Sequence, residues 1–141
     1  MADNNYKAII QYGGDDFFIA TTPSGHSLTI DTKGERKSAP SPLELLLVSV
    51  AACTAADVVS ILQKKRQKIM NYRVEIQGVR RDEFPRSFTA FHIHHLVYGY
   101  DVSAQAVEQA IELSDKKYCS VAATVRPTAE ITTSFEIIET K

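Results

Sequence analysis

Two cysteines stand among 141 residues, and their surroundings differ. Cys53 lies inside a long apolar run, Leu45-Leu46-Leu47-Val48-Ser49-Val50-Ala51-Ala52-Cys53-Thr54-Ala55-Ala56. Cys119 follows Lys116-Lys117-Tyr118 and precedes Ser120-Val121. A thiolate attacks the O–O bond of a peroxide and becomes a sulfenic acid, and a second thiol condenses with it to a disulfide. Such a pair requires one cysteine with a lowered pKa and a second within bridging reach, with Cα atoms about 4.4–6.8 Å apart. A thiol in apolar surroundings has its pKa raised, so Cys53 needs a nearby cation or hydrogen-bond donors to react. Asp57, one helical turn after Cys53, opposes a thiolate if it shares that face. Lys116 and Lys117 are the cations nearest to Cys119 in sequence. The plainer reading is that both cysteines are inert core residues.

Phe91-His92-Ile93-His94-His95 has the look of a metal cluster. On a strand, His92 and His94 share one face and His95 points the other way. Two ligands on one face do not make a zinc site, and no third ligand has a recognisable spacing. These are expected to be strand-surface histidines, and His26, alone after a turn, is expected to be the same.

The elements that must position the cysteines can be read along the chain. Strands are expected at Lys7–Tyr12, Phe17–Thr21 and His26–Asp31, broken by the turns Gly13-Gly14-Asp15-Asp16 and Thr22-Pro23-Ser24-Gly25. Residues 32–40 are polar and read as a loop. Ser41-Pro42-Leu43-Glu44 is a capping box with Pro at the first helical position, and it predicts a helix running to about Lys68. Lys64, Lys65, Arg66 and Lys68 suit the negative end of that helix. Between Leu45 and Leu62 the helix is apolar nearly all round, more than one small domain can cover, so a partner subunit is expected to help. Strands follow at Asn71–Arg80 and Ser87–Tyr98. A second helix starts at Val102 or Ser103 and turns Val107, Ala110, Ile111 and Ser114 to one side. Val121–Val125 is ambiguous, and Arg126–Ile138 ends as a strand. The order predicts one mainly antiparallel α+β domain over 1–141.

Composition excludes several classes. The net charge is −1, with no basic face suited to nucleic acid. No apolar run of signal-peptide length opens the chain, and the apolar helix carries Asp57, Ser49, Thr54 and Ser60, so a buried helix of a cytoplasmic protein is expected rather than a membrane span. In a reducing compartment a bond between the cysteines is transient and catalytic, or absent.

Ser41-Pro42-Leu43-Glu44-Leu45-Leu46 leading to Ala51-Ala52-Cys53, and Tyr118-Cys119-Ser120-Val121 near the C-terminus, together resemble the OsmC/Ohr family. The resemblance runs from about Tyr6 to Ile138. Asp57-Val58-Val59-Ser60-Ile61-Leu62-Gln63-Lys64 and Lys117-Tyr118-Cys119-Ser120-Val121-Ala122 resemble its YhfA-type branch. The resemblance implies an OsmC-like fold, an intertwined homodimer with strands wrapped around central helices, and two active sites at the subunit interface. It implies a peroxidatic role for Cys53 and a resolving role for Cys119 in reducing hydrophobic organic hydroperoxides. It implies no metal, no organic cofactor, and recycling by an external dithiol such as a lipoylated protein.

The chain departs from the family pattern twice. Peroxidase members carry Glu ten residues before the helix cysteine, where this chain has Leu43, and its acid is Glu44. Glu44 and Cys53 are nine apart and so lie on roughly opposite helix faces, while the capping box accounts for Glu44 by itself. Members also carry Arg shortly after an early Gly-Gly, where Gly13-Gly14 is followed by Asp15. Arg36 is the first substitute candidate for the thiolate stabiliser and Arg126 a weaker one. These departures motivate a second reading, a non-catalytic protein of the same fold holding a small apolar or acyl ligand at the dimer interface. A third is a structural dimer with inert thiols.

Overall fold

Asp15 and Asp16 both adopt positive φ, 49° and 64°, and close a two-residue turn between strands β1 (Ile9–Gly14) and β2 (Phe17–Thr21). Left-handed residues at both central positions match the twist of a tight hairpin, and Asp tolerates that conformation better than most residues. The computed structural model describes residues 4–141. A second turn, in which the Gly25 amide donates to the Thr22 carbonyl, leads into β3 (Ser27–Asp31). The three strands form an antiparallel sheet in the order β1-β2-β3. The chain divides into two compact units, residues 1–46 and 47–141, with the division inside one helix.

That helix, α1 (Pro42–Lys64), begins as its sequence predicts. The Ser41 amide donates to Glu44 Oε1 at 2.9 Å and the Glu44 amide donates to Ser41 Oγ at 3.2 Å, which satisfies two donors the first turn leaves open. The helix ends at Lys64, four residues before the expected Lys68. Arg66 turns to φ 59°, its amide donates to the Gln63 carbonyl, and the Gln67 amide donates to the Leu62 carbonyl. This is a Schellman end built on a non-glycine residue, so the basic run that reads as helix is in fact its exit.

The second unit is a sheet of β4 (Lys68–Arg80), β5 (Phe88–Tyr100) and β6 (Glu130–Glu139), in that order. β4 and β5 are antiparallel, while β6 runs parallel to β5. A parallel neighbour needs a crossover, supplied here by α2 (Ala104–Leu113), a π-helical turn (Ser114–Tyr118) and α3 (Ser120–Val125). α2 opens on Ser103, whose hydroxyl accepts from the Ala106 amide. The ambiguous segment 121–125 is therefore helical.

Two apolar clusters hold α1 in this unit. Val58 and Leu62 pack with Val97 of β5 and with Val107, Ala110 and Ile111 of α2. Val50 packs with Phe91 and Ile93 of β5 and with Ala129. Each buried Val, Leu, Ile or Phe among them contributes roughly 1.5–3 kcal/mol. Gly78 makes room in the second cluster, since a Cβ there would stand 2.6 Å from Phe88 Cε1. Thr54 falls between Val50 and Val58 on α1, and His95 between Ile93 and Val97 on β5, so polar residues mark the seam between the clusters. α1 is long and apolar enough to cross a membrane by length and composition. Its positions Val50, Ala51, Thr54, Val58 and Leu62 are nevertheless buried within this chain, while Val48, Ala52 and Ala56, at four-residue spacing, are exposed.

Candidate functional site

The helical spacing of four residues brings Cys53 and Asp57 onto one face of α1. Cys119 reaches the same place from the crossover. The Sγ atoms of Cys53 and Cys119 and a carboxylate oxygen of Asp57 all lie within 4.8 Å of one another. Both cysteines are reduced, Cys53 half-buried and Cys119 buried.

The local structure that delivers Cys119 is tight. Its amide donates to the Ser114 carbonyl at 2.8 Å, a π-type bond that ties positions 114 and 119 into one widened turn. Its backbone then leaves the helical region, φ −77° and ψ 100°, and Cys119 caps α3 by accepting from the Ala122 amide at 3.3 Å. Arg126 clamps the turn, with Nη2 donating to both the Asp115 carbonyl and its carboxylate. Lys116 donates to Glu112 and Lys117 lies over the Tyr118 ring, so both lysines next to Cys119 have partners on the surface.

Ser114 is fully buried, and its hydroxyl donates to Asp57 Oδ2 at 2.8 Å and hydrogen-bonds Thr54 Oγ1 at 3.0 Å. Asp57 is thereby fixed beside the sulfurs. Burial, the hydrogen bond with Cys53 and the nearby charges of Cys53 and Asp57 push the Cys119 thiol up to about 11, against a lowering effect of the Ala122 amide. Cys119 is thus a protonated thiol at neutral pH, and Cys53 is the more exposed of the two. Three donors within 4.8 Å could converge on one soft cation, but a closed structural zinc site takes four protein ligands.

The other candidates have partners of their own. Arg36 belongs to the N-terminal unit. Its Nε and Nη2 donate to Asp31, its Nη1 to Asp15, and its guanidinium lies 3.7 Å from the Phe17 ring centroid. Glu44 is engaged with Ser41, whose amide and hydroxyl hold its carboxyl below the ordinary range. His92 and His94 hydrogen-bond Thr132 and Ser134 on the outer side of the sheet, and His26 bonds Ser24 in its turn. His95 is different. The alternation that leaves its neighbours half-buried buries it completely, Tyr72 bonds its Nδ1, and its Nε2 has no partner among the described residues. Burial, with a smaller contribution from His94, pushes its pKa down to about 4. Asp57, Ser114 and Thr54 were not among the predicted site residues. Four-residue spacing from Cys53 signals Asp57, whereas Ser114 is brought in from 57 positions away and has no local signal.

Comparison with known proteins places this chain among relatives. The sequence profile of the family described as OsmC-like protein matches residues 33–134. Protein YhfA of Escherichia coli (strain K12) is 42% identical over 121 residues, covering 86% of this chain and 90% of that protein. The crystal structure of an OsmC-like protein from Mycoplasma pneumoniae superposes with a TM-score of 0.83 at 17% identity, covering 97% of this chain and 99% of the other. That of an organic hydroperoxide resistance protein OsmC from Legionella pneumophila gives 0.72 at 15% identity, covering 96% and 99%. At those identities the two structures bear on the fold alone.

Proposed function

The chain belongs to the OsmC-like family, and from that premise we propose that it is a thiol peroxidase reducing organic hydroperoxides at Cys53 and Cys119. The observation that carries this reading is the approach of the two sulfurs to within 4.8 Å. Cys53, as thiolate, attacks the terminal oxygen of the hydroperoxide. The O–O bond breaks, the alcohol leaves with a proton, and Cys53 becomes a sulfenic acid. Cys119 then attacks the Cys53 sulfur, a disulfide forms, and water leaves. An external dithiol, such as one on a lipoylated protein, returns the pair to thiols by exchange. The unequal burial of the two cysteines supports this division of roles. Arg36 and Glu44 each have their charge engaged within the N-terminal segment, and the mechanism gives neither a step.

The working form in this reading is a cytoplasmic homodimer. The exposed Val48, Ala52 and Ala56 of α1 support it, because small residues at four-residue spacing let a second helix approach closely. The apolar walls so formed would suit a hydrophobic peroxide. A surface cavity of about 430 Å³ beside α2 is lined by the charged Glu108, Glu112, Asp115 and Lys116 as well as by Ile111 and Phe135.

The test is thiol counting and intact mass before and after one equivalent of cumene hydroperoxide. Rapid loss of both thiols with a loss of two hydrogens is expected, and Cys53→Ser is expected to fall to the uncatalysed background. Both thiols staying reduced in the native protein would overturn the reading. One observation favours the alternative of an apolar or acyl ligand held at the dimer interface: the charges acting on Cys119 all oppose its ionisation. A co-purifying ligand seen by native mass spectrometry, in a protein inert to peroxide, would decide for it.

A further inference from the structure

Asp57 is the unexplained member of the cluster. A carboxylate beside two sulfurs discourages thiolate formation, yet this one is held in place by Ser114, a fully buried side chain contributed by another element. A surface acid that had merely drifted near the thiols would not require a buried hydroxyl to hold it. The difficulty dissolves when the two half-reactions are separated. In the first, the proton lost by Cys53 can go to solvent, because Cys53 is half-buried. In the second, the attacking sulfur is Cys119, which is buried and protonated. A thiol attacks a sulfenic acid only after losing its proton, and at Cys119 the proton has no direct path to bulk water. The oxygen acceptor that the structure supplies is Asp57, within 4.8 Å of that sulfur. A general base acts at hydrogen-bond reach or through one water, and such contacts are often longer before the reacting partner is in place.

We propose that Asp57, held by Ser114, is the proton acceptor for Cys119 during disulfide closure, and that it returns that proton to the departing hydroxide. This rests on the peroxidase reading for its sulfenic intermediate. The step balances: the Cys119 S–H bond breaks and its proton passes to the Asp57 carboxylate. The Cys119 sulfur attacks the Cys53 sulfur, the S–O bond breaks, and the hydroxide takes the proton from Asp57 and leaves as water. The two sulfurs together are oxidised by two electrons, which the peroxide accepted in the first step. Asp57 begins and ends as a carboxylate.

The test separates the two steps in Asp57→Asn, an isostere that still accepts the Ser114 hydrogen bond. Cumene hydroperoxide is mixed with the reduced protein, and samples are quenched for intact mass with and without dimedone. In Asp57→Asn, sulfenic acid at Cys53 is expected to form no more slowly than in the natural protein, since a repelling charge has gone. Disulfide closure is expected to slow by at least about 10²-fold, the scale of a lost general base, so that the species one oxygen heavier accumulates and dimedone traps it. Asp57→Glu, which keeps a carboxylate, is expected to close faster than Asp57→Asn. Closure in Asp57→Asn at the natural rate would overturn the proposal. A second oxidant keeps this outcome distinct from failure of the peroxidase reading. Diamide adds to one thiol and is displaced by the other as a hydrazine, so Cys119 must lose the same proton without any peroxide. If peroxide leaves the natural protein untouched, the peroxidase reading falls, and the diamide closure rates of the natural protein and Asp57→Asn still decide the role of Asp57. Should Asp57→Asn unfold, Ser114→Ala, which frees the carboxylate from its anchor, is expected to slow closure in both assays, and unchanged closure there would count against the proposal.

Discussion

Asp31 and Asp57 are both carboxylates drawn away from water, and they are treated in opposite ways. Asp31, in the N-terminal unit, accepts from Arg36 through Nε at 2.9 Å and Nη2 at 3.0 Å, and from the amides of Lys33 and Ser38 at 2.9 Å each. The Arg36 hydrogen bonds hold its pKa far below the ordinary carboxylate range. Asp57, in the second unit, accepts from one buried hydroxyl and otherwise neighbours two sulfurs. His95, in that same unit, keeps a ring nitrogen with no partner among the described residues. A polar group surrounded by matched donors is locked into one charge state and fixes shape. A group with capacity left over can exchange a proton. The Asp31 network thus fixes architecture, while the interior of the second unit keeps the capacity that the proposed proton transfer requires.

Asp31→Asn leaves Arg36 without its principal counter-charge and turns an acceptor toward donors it can only half satisfy. Amide exchange across Phe17–Asp31 is expected to accelerate far more than exchange anywhere in the protein after Asp57→Asn, while peroxide and diamide closure rates stay within about twofold of the natural protein. Equal losses of protection in the two variants would erase the distinction. A smaller effect is expected from acid, in two separate limbs. His95 carries a pKa of about 4 in the folded protein against 6.5 when unfolded. The unfolded chain therefore takes up a proton that the native state refuses, so stability is present at pH 7 and is lost as pH falls from 6.5 toward 4. The loss amounts to about 3 kcal/mol. Asp31 acts lower. Its depressed pKa stabilises the native state above the unfolded value of 3.8, and that contribution disappears as pH falls below it. Denaturant midpoints measured from pH 7 to pH 2 are expected to show both limbs. His95→Leu should flatten the first and Asp31→Asn the second.

The sequence makes these regions legible to different depths. Ser41-Pro42-Leu43-Glu44 announces a helix start because capping is a local hydrogen-bond exchange, and the structure contains it. The helix ends four residues before its basic run suggests, because Arg66, a good helix former, takes the left-handed position usually marked by glycine. Strand alternation places His95 opposite His92 and His94, but the residue type argued for the surface, and tertiary burial prevailed. The parallel pairing of β6 with β5 depends on a crossover whose π-helical turn has no compositional mark. The same turn delivers Ser114 and Cys119, so the approach of the two cysteines could be inferred from family resemblance but not from spacing. In the sequence Asp57 shows only as a neighbour of Cys53 that opposes a thiolate, because its buried partner comes from a distant segment.

Thr54 allows the finest division within the second unit. Its hydroxyl bonds Ser114 at 3.0 Å, and Ser114 bonds Asp57, so Thr54 touches the proposed base through one intermediary. Thr54→Val keeps the shape and removes only the hydroxyl. Ser114 has a single proton, and a carboxylate competes for it better than a hydroxyl does. The Ser114–Asp57 bond is therefore expected to persist in the variant, at a cost of about 1 kcal/mol for the lost hydrogen bond. Disulfide closure with diamide should remain within about twofold of the natural rate, in contrast to the large slowing expected of Ser114→Ala. A slowing as large as that of Ser114→Ala would mean that the anchor is the whole chain of hydroxyls. The line between structural and reactive polar groups would then have to be drawn one residue further into the core, at the seam where Thr54 divides the two apolar clusters.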